Sequence, residues 1–195
     1  MVSSLLRLQS RQIDNAEVRA ALEDTNARVR SMAMVHEHFY QSTNLAQVDL
    51  AGYLKSLCTQ LFHALVLRPG AVRLDLDLVP VRLGIEQAIP CGLLVNELVS
   101  NCFKHAFPER ASGVVRVELQ PVPDRPALRL RVADNGVGLP AGLNLKGLKS
   151  LGLELVSTLA RQLGGRLEIG PGPGAAFEVI FPLKPTGSSP DPQTR

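Results

Sequence analysis

Aromatic residues are scarce in this sequence. They make up 4% of its 195 residues, and tryptophan is absent. A core must therefore be built from Leu, Val and Ala, and a hydrophobic content of 45% is enough for one. Cysteine is also sparse. Cys58, Cys91 and Cys102 form no C-x-x-C pair. Their odd number, with no signal peptide in view, points to a reducing cytoplasmic setting. No apolar run reaches the roughly 18 residues that span a bilayer, so no membrane segment is expected. The chain opens in helical sequence rather than in a targeting segment. The net charge of +3 is too mild to imply a nucleic-acid partner. There is no block of like charges and no interleaving of basic and aromatic residues.

What is present begins with helix. Val2 to Gln12 is helical in composition. Asp14 followed by Glu17 is a capping-box pattern, which predicts a second helix from near Asn15. Along it Val18, Leu22, Thr25, Val29, Met32, His36, Phe39 and Thr43 recur in alternating steps of four and three. That is a heptad seam. Two such helices make a hairpin over residues 1–45, and a long seam on a small hairpin predicts pairing into a dimeric four-helix bundle. A monomeric hairpin leaning on the downstream domain would carry the same pattern.

Residues 46–184 read as a second domain, and 185–195 as a disordered tail of Pro, Ser and Gly. Asn44 to Val48 reads as a linker, with Asp49 as the next N-cap. Leu50, Tyr53, Leu54, Leu57, Cys58, Leu61, Phe62 and Leu65 mark one face of an amphipathic helix. After the Arg68-Pro69-Gly70 break the period changes to two. Val72, Leu74, Leu76 and Leu78 predict one strand, and Val81, Leu83 and Ile85 another. A long helix is expected from about Pro90 to Phe107, then strands near Val114–Gln120 and Ala127–Asp134. A Gly-rich loop runs from Asn135 to Lys149. Ser150 is placed to cap a helix ending at Gly164-Gly165. A hairpin follows, with Leu167 and Ile169 on one strand and Phe177, Val179 and Phe181 on the other. The expected class is α+β: the helical hairpin, then an α/β sandwich with three helices on one face of a mostly antiparallel sheet.

Three features of this second domain carry chemistry. On the long helix Glu97, Asn101 and Lys104 fall at i, i+4 and i+7, with His105 alongside. An amide oxygen such as that of Asn101 is a hard ligand suited to Mg2+. Lys104 and His105 offer positive charge for phosphate. Taken alone, this stripe is no more than a solvated helix face. On the strand, Leu128, Leu130 and Val132 share parity with Asp134, so Asp134 must point inward. A buried carboxylate needs a partner, and the exocyclic amino group of a nucleotide base would serve. Gly136 and Gly138 follow at once and let a flat ring approach the backbone. Finally, the loop Lys146-Gly147-Leu148-Lys149 runs into Ser150-Leu151-Gly152 at a helix N-terminus, where free N–H groups and the helix dipole favour phosphate. Each feature is common by itself. Their order along the chain is the specific signal.

The stretch from Leu93 to Pro108 resembles the N box of bacterial sensor histidine kinases. Asp134 to Pro140 is similar to their first glycine box, and Ser150 to Val156 to their second. Ser3 to Ser10 and Arg30 to Ser42 resemble the dimerisation region of the HWE-related subfamily. The resemblance covers nearly the whole chain and implies an ATP-binding domain of the histidine kinase type, with ATP and Mg2+ as ligands. It implies Asn101 as the Mg2+ ligand and Asp134 as the partner of the adenine amino group. Gly136 and Gly138 would shape the adenine pocket. Lys104, His105, Lys149, Ser150 and Gly152 would lie by the phosphates, and residues 135–149 would form a lid. Glu97 stands where gyrase-type relatives carry a general base. The implied partners are a second copy of the chain and the receiver domain of a response regulator.

One departure from the family is evident. The His-Arg-Val-Lys-Asn-Asn type of stretch that carries the phosphoacceptor histidine is not found in this sequence. His36, His38, His63 and His105 remain, and none matches it. The expected function is a sensor histidine kinase core that transfers the γ-phosphoryl group of ATP to a histidine. Two other readings stand beside it: an ATP-binding pseudokinase without its own acceptor, and a gyrase-like ATPase.

Overall fold

The computed structural model describes residues 15, 18–19, 22, 25, 47–66, 70–108, 112–139 and 151–184. The chain divides into two compact units, Met1–Thr43 and Asn44–Arg195. In the first unit Asn15 acts as a helix N-cap. Its side-chain oxygen accepts from the Val18 N–H at 3.2 Å, and its carbonyl accepts from the Arg19 N–H at 3.0 Å. The cap thus falls on Asn15 itself. Val18 is 45% exposed, and Leu22 and Thr25 are half-buried. The rest of the expected seam, the helix over Val2–Gln12 and the pair Asp14 and Glu17 lie outside the described residues.

The second unit opens with a two-residue strand, β1 (Val48–Asp49), which pairs antiparallel with β3 (Arg82–Leu83). Val48 therefore belongs to an element rather than to the expected linker. Asp49 also caps helix α1 (Leu50–Leu65), accepting from the Gly52 N–H at 3.1 Å. The buried face of α1 is Leu50, Tyr53, Leu54, Leu57, Cys58 and Leu61, which follows the spacing of the sequence. Phe62, half-buried at its end, meets Phe103 edge-on with ring centroids 5.8 Å apart.

Helix α2 (Ile85–Asn101) begins five residues earlier than expected, and Ile85 is helical rather than extended. Gly84 is the N-cap, and its carbonyl accepts from Gln87 and Ala88. Pro90 thus lies inside the helix, in its second turn. Its missing N–H deprives only the Glu86 carbonyl of a donor, and Glu86 itself is exposed. The periodicity of Val81, Leu83 and Ile85 fitted a strand because so short a stretch fits either period. The helix also ends earlier. Residues Cys102–Ala106 wind into a π-turn rather than continuing as α-helix to Phe107.

The main sheet has the order β2-β4-β5-β7-β6. Its strands are β2 (Val72–Leu78), β4 (Gly113–Pro121), β5 (Ala127–Asp134), β6 (Arg166–Ile169) and β7 (Ala176–Pro182). Only the β2–β4 pair is parallel. Helix α3 (Leu151–Gln162) closes with a Schellman arrangement, in which Gly165 N–H reaches Ala160 O and Gly164 N–H reaches Arg161 O, both at 2.9 Å. The helices cover one face of the sheet. Its apolar rows run Leu119, Leu130, Val179 and Leu167, and Val117, Val132 and Phe177. Against them α2 presents Leu94, Val95 and Leu98, each at most 2% exposed. Burying one such leucine contributes about 1.5–3 kcal/mol. The other face is charged: Arg73 and Arg116 hold Asp75, and Arg131 holds Glu118.

Gln87 fastens the start of α2 to the end of the sheet. It is fully buried, donates to the Pro182 carbonyl at 2.8 Å and accepts from Lys184 N–H at 3.0 Å. Both ends of the amide are satisfied, as burial requires. Among the described residues no helix is long and apolar enough to cross a membrane.

Candidate functional site

The end of α2 supplies the first part of the site. Glu97 is buried, Asn101 is half-buried, and Lys104 and His105 are exposed. The stripe therefore climbs from the interior to the surface as the helix ends. The i, i+4 spacing holds from Glu97 to Asn101. Beyond it the π-turn winds wider than an α-helix, so Lys104 and His105 are turned relative to that spacing. The Asn101 amide and the Glu97 carboxyl, one turn apart on α2, both carry hard oxygen donors. Hard oxygen donors of this kind are the ones that suit Mg2+.

Asp134 supplies the second part. It ends β5 in register with Val115 and is 4% exposed. The inward parity read from Leu128, Leu130 and Val132 is what the structure has. Its Oδ1 accepts from two backbone N–H groups, Gly136 at 2.9 Å and Ala175 at 3.2 Å. Its own N–H donates to the Ala175 carbonyl at 2.8 Å. Two main-chain donors fix the carboxylate in place, and neither requires a donor side chain to be ordered. Cys102, the first residue of the π-turn, lies beside it. Burial pushes the Cys102 thiol well above its ordinary range, and the Asp134 carboxylate adds to the rise by its charge and by a hydrogen bond.

The turn after Asp134 lies flush against the π-turn. Val137 N–H donates to the Ala106 carbonyl at 3.0 Å, and a Cβ on Gly136 would overlap that same carbonyl. Only glycine allows this approach. Gly138 has φ +74°, a conformation that side chains rarely adopt. Asn135 turns its side chain back to the sheet, where its Oδ1 accepts from Val114 N–H at 2.7 Å. The structure thus brings Asp134 and Gly136 against the π-turn, through Cys102 and Ala106, and Asn101 and Glu97 precede that turn on α2. Gly152 is buried in the first turn of α3. Lys146, Lys149, Ser150 and most of the expected lid lie outside the described residues.

Two family models match this chain. One, described as histidine kinase, matches residues 1–65. The other, described as histidine kinase-, DNA gyrase B-, and HSP90-like ATPase, matches residues 86–185, more than half of the chain. The chain belongs to the sensor histidine kinases.

Its curated relatives agree with the HWE-related resemblance. It is 29% identical over 192 residues to blue-light-activated histidine kinase 2 of Erythrobacter litoralis, covering 94% of this chain and 53% of that protein. It is 37% identical over 171 residues to the sensor histidine kinase PdtaS of Mycobacterium tuberculosis, covering 85% of this chain and 33% of that protein. The chain thus spans between a third and about half of the length of these histidine kinases. Among solved structures, the histidine kinase domain of a blue-light-activated histidine kinase from Erythrobacter litoralis matches with a TM-score of 0.70 and 25% identity. The match covers 93% of this chain and 94% of that one.

Two neighbours of Asp134 carry no mark in the sequence. Ala175 reaches the carboxylate from a hairpin loop 41 residues downstream, and no local pattern marks it. In the sequence Cys102 reads only as a core position. Its adjacency to Asn101, at a helix end already suspected of chemistry, was the available signal.

Proposed function

We propose that this chain binds Mg-ATP and directs its γ-phosphoryl group to a histidine imidazole, for later passage to a response-regulator aspartate. The observation that carries the reading is the buried Asp134 carboxylate. It is fixed by two main-chain donors, next to a glycine turn pressed against the π-turn that follows the helix bearing Glu97 and Asn101. Asp134 would accept from the adenine amino group, and Gly136 and Gly138 would let the ring lie against the backbone. Asn101 would hold Mg2+, with Glu97 ordering the ion and its waters. Mg2+ held there would offset the charge of the phosphates. Lys104, His105, Lys149, Ser150 and Gly152 would steady the phosphates. Catalysis would come from positioning and charge neutralisation. The acceptor nitrogen forms a bond to the γ-phosphorus as the bond to the ADP oxygen breaks. The chain would act in the cytoplasm as a homodimer paired through the helices before Asn44, with a receiver domain as its partner.

A second reading is an ATP-binding module that does not phosphorylate itself, since none of the chain's histidines stands in a stretch like the family's acceptor stretch. None of His36, His38, His63 and His105 is the acceptor in either reading. Calorimetric titration with a non-hydrolysable ATP analogue, with and without Mg2+, tests nucleotide binding, and the expected result is binding only with the metal. Incubation with γ-labelled ATP tests the acceptor. The expected result is no acid-labile, base-stable label on this chain, whereas label lost in His36→Ala would make His36 the acceptor.

A further inference from the structure

The carboxylate at the base of the site depends on a loop, and that loop is held from the opposite face of the sheet. The loop between β6 and β7 is closed by Gly170 N–H to Ala176 O at 2.9 Å. At its far end it carries Ala175, which exchanges two hydrogen bonds with Asp134. Gly174 lies against the same carboxylate, so that a Cβ there would overlap Asp134 Oδ1. The near end is gripped by Arg131. Its guanidinium donates to the Pro171 carbonyl at 2.8 Å and to Glu118 Oε2 at 2.6 Å.

Arg131 and Asp134 are three residues apart on β5 and project from opposite faces of the sheet. The loop wraps the strand between them. Glu118 stands opposite Arg131 in the β4–β5 register, and this ion pair is largely buried, with side chains 20% and 18% exposed. A planar guanidinium can satisfy a carboxylate and a carbonyl at once, which a lysine cannot do in the same geometry. We infer that Arg131 is a positioning residue for base recognition: it clamps the loop at Pro171 so that Ala175 N–H holds Asp134 in the orientation that receives the amino group of adenine.

This inference rests on the nucleotide reading above and reaches one step beyond it. Arg131 does not touch the base. It acts on the one interaction that tells adenine from a purine lacking the amino group. Loss of the clamp should therefore lower affinity for ATP and leave affinity for the amino-less analogue alone. A general loss of structure would weaken both ligands together.

The test is calorimetric titration of the whole chain with ATP and with purine riboside triphosphate, both with Mg2+. It is run on the parent protein, Asp134→Asn, Arg131→Gln and Arg131→Lys. The parent should prefer ATP, and Asp134→Asn should abolish the preference. Arg131→Gln should narrow it by about tenfold, the worth of one well-made hydrogen bond. Arg131→Lys, which keeps the cation for Glu118, should show a smaller loss of the same kind, and it serves as the readout if Arg131→Gln does not fold. An effect of Arg131 that does not run through Asp134 is detected by the double variant: adding Arg131→Lys to Asp134→Asn should change nothing further. A preference that Asp134→Asn abolishes but both Arg131 variants retain overturns the inference and leaves the nucleotide reading intact. A parent protein that binds neither ligand overturns both.

Discussion

Replacing Asp134 by asparagine keeps the shape of the side chain and reverses the polarity of one arm. The amide oxygen can still accept from Gly136 and Ala175, where Oδ1 now accepts at 2.9 and 3.2 Å. The second oxygen becomes an NH2 group, a donor where the proposed site needs an acceptor for the adenine amino group. One hydrogen bond to a charged acceptor is lost, worth about 1.5–3 kcal/mol, and two donors are left facing one another. A loss of about 3 kcal/mol follows, or roughly a hundredfold in affinity. The fold should survive, since both main-chain contacts persist in weaker form. The assay is calorimetric titration of parent and variant with a non-hydrolysable ATP analogue and Mg2+, with thermal melting as a control. A change of less than about threefold in a folded variant would refute the reasoning and remove Asp134 from the base site.

Three further outcomes are expected. Gly136→Ala drives a methyl group into the Ala106 carbonyl, so it should cost about 1–3 kcal/mol in urea unfolding and weaken nucleotide binding as the turn lifts. An unchanged midpoint would mean that the two segments part freely. Burial raises the thiols of Cys58, to about 12, Cys91 and Cys102 above their unfolded value of 9.0. Stability is thus fully present below pH 9 and falls as pH rises above it, at up to about 1.4 kcal/mol per pH unit for each thiol. Urea midpoints at pH 8 and 10 check this, and equal values would contradict it. Sedimentation of the whole chain should show a dimer and a version starting at Ala46 a monomer, as the seam through Val18 and Leu22 requires. Two monomers at micromolar concentration would end the bundle proposal.

Periodicity and punctuation made most of this molecule legible in its sequence. The face of α1, the alternation of β2 and β5, the inward parity of Asp134 and the stop at Gly164-Gly165 are all local patterns. Each depends on residues within a turn or two of one another, so no tertiary information is needed. The order of an amide-bearing helix, a strand ending in Asp134 and a glycine turn likewise marked the family. Local pattern failed where neighbours in space overrule propensity. Pro90 reads as a helix start, yet α2 runs through it because the apolar face from Ala88 to Val99 is buried and the lost hydrogen bond falls on exposed Glu86. Asn101 looked like the middle of a helix, yet the chain widens there into a π-turn whose Ala106 carbonyl meets Val137. Only the tertiary structure decided how Asp134 is held. Its donors include Ala175, 41 residues away, and the grip of Arg131 on that loop crosses from one face of the sheet to the other. Such contacts are set by strand order and loop path, and these follow from the packing of the whole domain rather than from any stretch of its sequence.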